Sequence, residues 1–162
     1  MNYGGLSSSL RDAQRKTLKV PKTGMVVTLD IGENFDIHPS NKHDIGNRLA
    51  VLALADNYGG QEIASGLLYR NHEIRKNKIL VNFDYIGSGL IFKEKSGEDL
   101  GFEIAGNDEI FVSAKTQILN DGVEVFSPDI LKPMYTRYAW QETSKATLFN
   151  MEGLPASSFL SN

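Results

Sequence analysis

Lys78-Ile-Leu-Val-Asn-Phe-Asp-Tyr85 alternates in character, with Ile79, Val81, Phe83 and Tyr85 on one side and Leu80, Asn82 and Asp84 on the other. A period of two is the pattern of a half-buried strand. Similar short segments follow at 102–105, 110–112, 117–119, 123–126 and 135–140. Turn signals separate them at Gly87-Ser-Gly89, Ser96-Gly97, Gly106-Asn-Asp108 and Asn120-Asp-Gly122. Turns about ten residues apart favour an antiparallel sandwich over a parallel sheet.

Upstream of Gly59-Gly60 the pattern changes. Ser7, Ser8 and Ser9 can cap a helix carrying Leu10, Ala13, Gln14 and Leu18, and Lys19-Val-Pro-Lys-Thr-Gly24 breaks it. Met25-Val-Val-Thr-Leu29 has the length and β-branching of a buried strand. Ser40 or Asn41 can cap a second helix with Ile45, Leu49, Leu52 and Ala53 as its apolar stripe, ending at Tyr58-Gly-Gly60. The expected fold class is therefore α+β: a helix-strand-helix segment over residues 1–60, then an antiparallel β-sandwich over 61–162. One βα segment leaves most of a parallel strand's faces uncovered, so the strand edge and the second helix are expected to seek another chain, in a homo-oligomer or with a missing N-terminal half.

The 162 residues carry 17 Lys+Arg and 20 Asp+Glu, a net charge of −3, with 41% hydrophobic residues and no cysteine. Cysteine nucleophiles, thiolate metal sites and disulfides are excluded. The balance lacks the basic stripe that phosphate contacts need, so no nucleic acid partner is expected. The longest apolar stretch, around 49–55, falls short of the roughly 20 residues that span a bilayer. The opening MNYGGLSSSLRDAQ has no basic region followed by an apolar one. Neither a signal peptide nor a membrane anchor is expected.

Chemistry concentrates in Asp30-Ile-Gly-Glu-Asn-Phe-Asp-Ile-His-Pro39. It sets three carboxylates and an imidazole beyond the C-terminal end of an apolar strand, where open α/β sheets keep functional residues. A histidine there, with a carboxylate to orient it, is the general-base half of a hydrolytic triad; the plainer alternative is a surface histidine before a proline. His43, in a helix's first turn, and His72, in a strand beside charged residues, read as structural. His38 and His43 match no common zinc spacing, and no metal or cofactor is expected. No Gly-x-Ser-x-Gly elbow supplies a nucleophile, and neither Gly4-Gly5 nor Gly59-Gly60 makes a phosphate loop.

Leu10-Arg-Asp-Ala-Gln14, Thr23-Gly-Met-Val-Val-Thr-Leu-Asp-Ile-Gly32, Asp36-Ile-His-Pro-Ser-Asn-Lys42 and Ile45-Gly-Asn-Arg-Leu-Ala50 resemble the C-terminal part of the bacterial sialate O-acetylesterases, carbohydrate esterases of the SGNH-hydrolase type. The likeness continues through Ser65-Gly-Leu-Leu-Tyr69, Gly87-Ser-Gly-Leu90, Gly101-Phe-Glu-Ile-Ala-Gly106, Arg137-Tyr-Ala-Trp140 and Leu148-Phe-Asn-Met-Glu-Gly-Leu-Pro-Ala156. It implies an acetylated carbohydrate as substrate, export from the cell, and His38 as the catalytic base. The family commonly spaces its pair as Asp-x-x-His, but Phe35 stands three before His38. Asp36 and Asp30 are the candidates to support His38, with Glu33 behind them. The family's serine, and the Gly and Asn that donate to the oxyanion, belong to blocks upstream of Leu10 and are absent here. The resemblance thus implies a C-terminal portion that is inactive alone. A non-catalytic carbohydrate-binding sandwich is the second reading; its aromatic set would be Tyr135, Tyr138 and Trp140, although alternation places Tyr138 and Trp140 together, more in the manner of a core pair.

Overall fold

The computed structural model describes residues 6–33, 36, 38–93, 100–120 and 122–161. Helix α1 is Leu6–Lys16, followed by a 3₁₀ turn at Thr17–Lys19, and α2 is Lys42–Asn57. Among the described residues ten strands follow: β1 Leu68–Arg75, β2 Lys78–Asp84, β3 Leu90–Phe92, β4 Phe102–Ala105, β5 Val112–Ser113, β6 Lys115–Leu119, β7 Gly122–Phe126, β8 Tyr135–Tyr138, β9 Leu148–Asn150 and β10 Phe159–Leu160. The chain is α+β, and its sheets are antiparallel: β1-β2-β7-β6, β10-β8-β4-β5 and the pair β3-β9.

The alternation in β2 is realised on its core side, while Leu80 on the other side is buried as well. Ile79, Val81 and Phe83 enter one core with Val123 and Val125 of the same sheet and with Phe102, Ile104, Tyr138 and Phe159 of the facing one. Tyr85 departs from that pattern. Its φ of +59° turns the chain out of the strand after Asp84, and its ring is exposed. The turns around Gly87 and Gly106 stand where the sequence places them. Ser96-Gly97 lies outside the described residues, as does Asp121 in the Asn120-Asp-Gly122 turn.

Tyr138 anchors the core. It is fully buried among aromatic rings, and its hydroxyl oxygen accepts from the Thr147 N–H at 2.9 Å and the Leu148 N–H at 3.0 Å, with the Thr147 hydroxyl at 3.2 Å. One phenol thereby ties β8 to the start of β9, and burial raises its pKa. Tyr138→Phe should keep the ring packing but strand two buried N–H groups, costing about 2–4 kcal/mol. A lower denaturant midpoint at unchanged slope is the expected result; an unshifted midpoint would refute it.

The helices differ from the sequence expectation. The serines do not cap α1, because the helix begins at Leu6 and takes Ser7, Ser8 and Ser9 inside; Ser8 is fully buried. The polar face of α1 turns inward. Arg11 donates to Ser158 Oγ at 2.9 Å, to the Ala139 carbonyl at 2.9 Å and to the Gln141 carbonyl at 2.8 Å. Asp12, only 4% exposed, pairs with Arg15 at 2.6 Å and Lys16 at 2.7 Å, while Arg15 also lies over the Tyr69 ring. Leu10, the apolar residue expected inside, is 60% exposed. Three hydrogen-bond acceptors on the sandwich hold a guanidinium better than they would hold a leucine, and this sets the helix's rotation.

Asn41 caps α2, accepting from the Asp44 N–H at 3.1 Å, and Gly59 at φ +74° closes it. The expected stripe is not buried: no residue of α2 is, and Leu49 is half exposed. Residues 25–29 form no strand, since a strand needs a laddered neighbour and no described segment pairs with them. Among the described residues, no helix is long and apolar enough to cross a membrane.

Candidate functional site

The segment 24–29 borders a cleft of about 840 Å³ between α1 and the loops carrying Thr143, Ser144, Ser157 and Ser158. Arg11, Gln14 and Thr17 form the α1 wall, and Gly32 and Glu33 stand at the end from which the Asp30–Ser40 loop departs. α2 holds the opposite side of the segment. Arg48 donates to the Val27 carbonyl at 2.6 Å and grips Asp30 with two hydrogen bonds, at 2.8 and 2.6 Å. This pair raises the pKa of Arg48, the Asp30 hydrogen bond being the largest cause.

Carboxylates stitch the loop. Glu33 Oε1 accepts from both the Ser40 N–H and the Ser40 hydroxyl at 2.7 Å, and these bonds hold its pKa below the ordinary range. Asp36 Oδ1 accepts from the backbone N–H of His38 at 2.7 Å. This is an Asx turn that fixes the histidine's backbone rather than its ring. His38 is exposed, and among the described residues its imidazole has no hydrogen-bond partner.

The structure thus brings Asp36 and His38 together through the main chain and commits Asp30 to Arg48. Neither carboxylate is on the ring. Glu33, ranked third in the sequence, is the residue that touches the cleft and closes the loop. Arg48 was missed, because 18 residues separate it from Asp30 and no local motif links them. His43 is exposed on α2, with Nδ1 at 3.3 Å from Asp44. His72 Nδ1 lies 2.8 Å from the Tyr69 hydroxyl, and burial lowers its pKa against a smaller opposing effect of the Met134 carbonyl. Chemically, the arrangement offers a solvent-accessible imidazole on a pinned loop, able to take and return a proton. The hydroxyls of Ser157 and Ser158 in the cleft are engaged with backbone carbonyls.

No family model matches the chain, and no curated protein is similar to it. Among solved structures, a crystal structure of a carbohydrate acetylesterase from Xanthomonas citri is similar at a TM-score of 0.89 and 39% identity. The match covers 96% of this chain and 36% of that one, so this chain spans about a third of that enzyme's length. Nearly all of the chain is therefore similar to one part of a carbohydrate acetylesterase.

Proposed function

We propose that this chain supplies the histidine loop and the β-sandwich of a carbohydrate O-acetylesterase of the sialate type, built on an SGNH-type catalytic domain. The observation that carries the reading is its 39% identity, over 96% of its length, to a carbohydrate acetylesterase. In this reading His38 takes the proton of a serine hydroxyl as its oxygen bonds the acetyl carbon, then returns it to the sugar alkoxide as the ester C–O bond breaks. Water repeats the sequence to release acetate. The charge of Asp36, held at the His38 main chain, favours the imidazolium that forms, and Asp30 with Arg48 fixes the loop's origin.

The serine and the oxyanion donors come from a polypeptide outside this sequence. Two features favour such a partner. The segment 24–29 borders the cleft without strand pairing to any described segment, and Leu10, Val20, Leu49, Leu54 and Tyr58 expose apolar surface on and near the two helices. Unpaired strand edges and clustered apolar side chains are surfaces that proteins cover.

The experiment measures acetate release from p-nitrophenyl acetate and acetylated xylan, by this chain alone and with a polypeptide carrying the serine block. Hydrolysis confined to the mixture and blocked by a serine-directed reagent is the expected result. Equal hydrolysis by the chain alone would overturn the missing-nucleophile part. A mixture that forms a complex and releases no acetate would overturn the esterase reading.

A further inference from the structure

Trp140 is the chain's single tryptophan. Continued alternation from β8 would lay it on Tyr138's side, in the core. Instead Ala139 adopts φ +48°, a left-handed conformation unfavourable for a residue with a β-carbon, and β8 ends at Tyr138. Such strain persists only where its surroundings impose it. Here the Ala139 N–H donates to the Gly101 carbonyl at 2.9 Å, while its own carbonyl accepts from Arg11 at 2.9 Å and from the Ser158 hydroxyl at 3.0 Å. Tyr138 and Ala139 are both buried as a result, and Trp140 is swung, half-buried, into a separate groove of about 310 Å³.

Polar groups surround the indole. Glu103, Ser113, Gln141, Lys145 and Thr147 line the groove with it. Glu103 is neutralised by Arg137, at 2.8 and 3.0 Å, and Thr147 is bonded to the Leu100 carbonyl. The exposed side chains of Ser113, Gln141 and Lys145 have no hydrogen-bond partner among the described residues. An indole with spare donors and acceptors around it matches a pyranose, whose C–H face packs on an aromatic ring while its hydroxyls bond to the rim. Thr143 and Ser144 line both this groove and the larger cleft, so the two hollows share a wall.

We propose that the Trp140 groove is a sugar subsite, holding a neutral residue of the same glycan chain whose acetylated residue reacts at His38. Trp140 stacks on the ring, and Gln141, Lys145 and Ser113 bond its hydroxyls. The proposal rests on the carbohydrate reading above. It needs no serine and no acetyl ester, however, so the two can fail separately.

Because Trp140 is the sole tryptophan, indole emission reports this groove. The chain is titrated with xylohexaose, cellohexaose and mannohexaose. A saturable emission change with at least one of them is expected. For that sugar, calorimetry on Trp140→Ala should show affinity reduced about tenfold or more. Gln141→Ala combined with Lys145→Ala, two exposed positions that leave the core intact, should weaken the emission titration severalfold and keeps the test decisive should Trp140→Ala not fold. No saturable change with any of the three sugars, or an emission titration unaltered in the double variant, would overturn the subsite. Loss of sugar binding beside intact serine-dependent hydrolysis removes the groove alone; sugar binding without any hydrolysis removes the esterase reading alone.

Discussion

In the proposed esterase, with the serine block supplied, His38→Ala should lower kcat for acetyl-ester hydrolysis by about 10²- to 10⁴-fold, the range that a positioned acid–base group contributes. KM should change little, because in that reading the imidazole moves protons during the reaction and adds nothing to ground-state binding of the sugar. The two aspartates separate in the same assay. Asp36→Asn keeps an oxygen for the His38 N–H but removes the charge that would stabilise imidazolium, so it should cost activity at unchanged stability. Asp30→Asn breaks the two-bond grip of Arg48, a pair largely shielded from water, and should cost about 1–3 kcal/mol of stability. Circular-dichroism melting beside steady-state kinetics distinguishes them. If Asp36→Asn leaves kcat unchanged while Asp30→Asn abolishes it without shifting the melting curve, the roles given to the two residues are reversed. A His38→Ala enzyme of undiminished kcat would remove His38 from the chemistry.

Gly66→Ala is the most damaging small change expected in the sandwich. A β-carbon there would stand 1.9 Å from the Pro155 carbonyl oxygen and 3.0 Å from its carbonyl carbon, both main-chain atoms that no rotamer change can move. The two segments are laced together by the Ser157 N–H to the Leu67 carbonyl at 2.9 Å, and Asn150 of β9 also reaches the Ser65 carbonyl, at 3.4 Å. Separating them breaks into a core that includes Leu67, Ala156 and Phe159. A loss of about 3–5 kcal/mol is expected, a large share of the 5–15 kcal/mol typical of a whole domain. Gly46→Ala is the control: this residue lies on α2 with nothing within 4 Å of its would-be β-carbon, and alanine should stabilise by about 0.5–1 kcal/mol. Chemical denaturation measures both. Equal midpoints for Gly66→Ala and the parent chain would mean that the 65–67 and 155–157 segments can part without loss.

The strands were legible where apolar residues recur at every second position and enter the core, as Ile79, Val81 and Phe83 do in β2 and Val123 and Val125 in β7. They ceased to be legible at single residues whose backbone departs from extended geometry. Tyr85 and Ala139 both take positive φ without being glycine, and nothing in their side chains announces it. The short strands β3, β9 and β10 bring two or three residues each, too few for a periodic signal. Residues 25–29 have the composition of a strand, yet hydrogen-bonded partners make a strand and composition does not. In α1 the helical spacing was visible but its rotation was not, since that depends on where the sandwich presents the carbonyls of Ala139 and Gln141. The His38 loop stood out as a cluster of charges. Which carboxylate serves which partner was invisible, because Arg48 and Ser40 reach Asp30 and Glu33 only after α2 has folded back over the segment.

Arg11 makes two bodies answer to one side chain. Its guanidinium fastens α1 to the sandwich, and one of its bonds ends on the Ala139 carbonyl whose left-handed backbone aims Trp140. Undocking the helix therefore withdraws a restraint on the indole, and a relaxed Ala139 would return Trp140 toward the side of Tyr138. With a sugar in the groove as proposed, helix docking and glycan affinity would be thermodynamically linked, each strengthening the other by the same factor. A polymer chain that occupies the groove would thus tighten the very joint that borders the larger cleft.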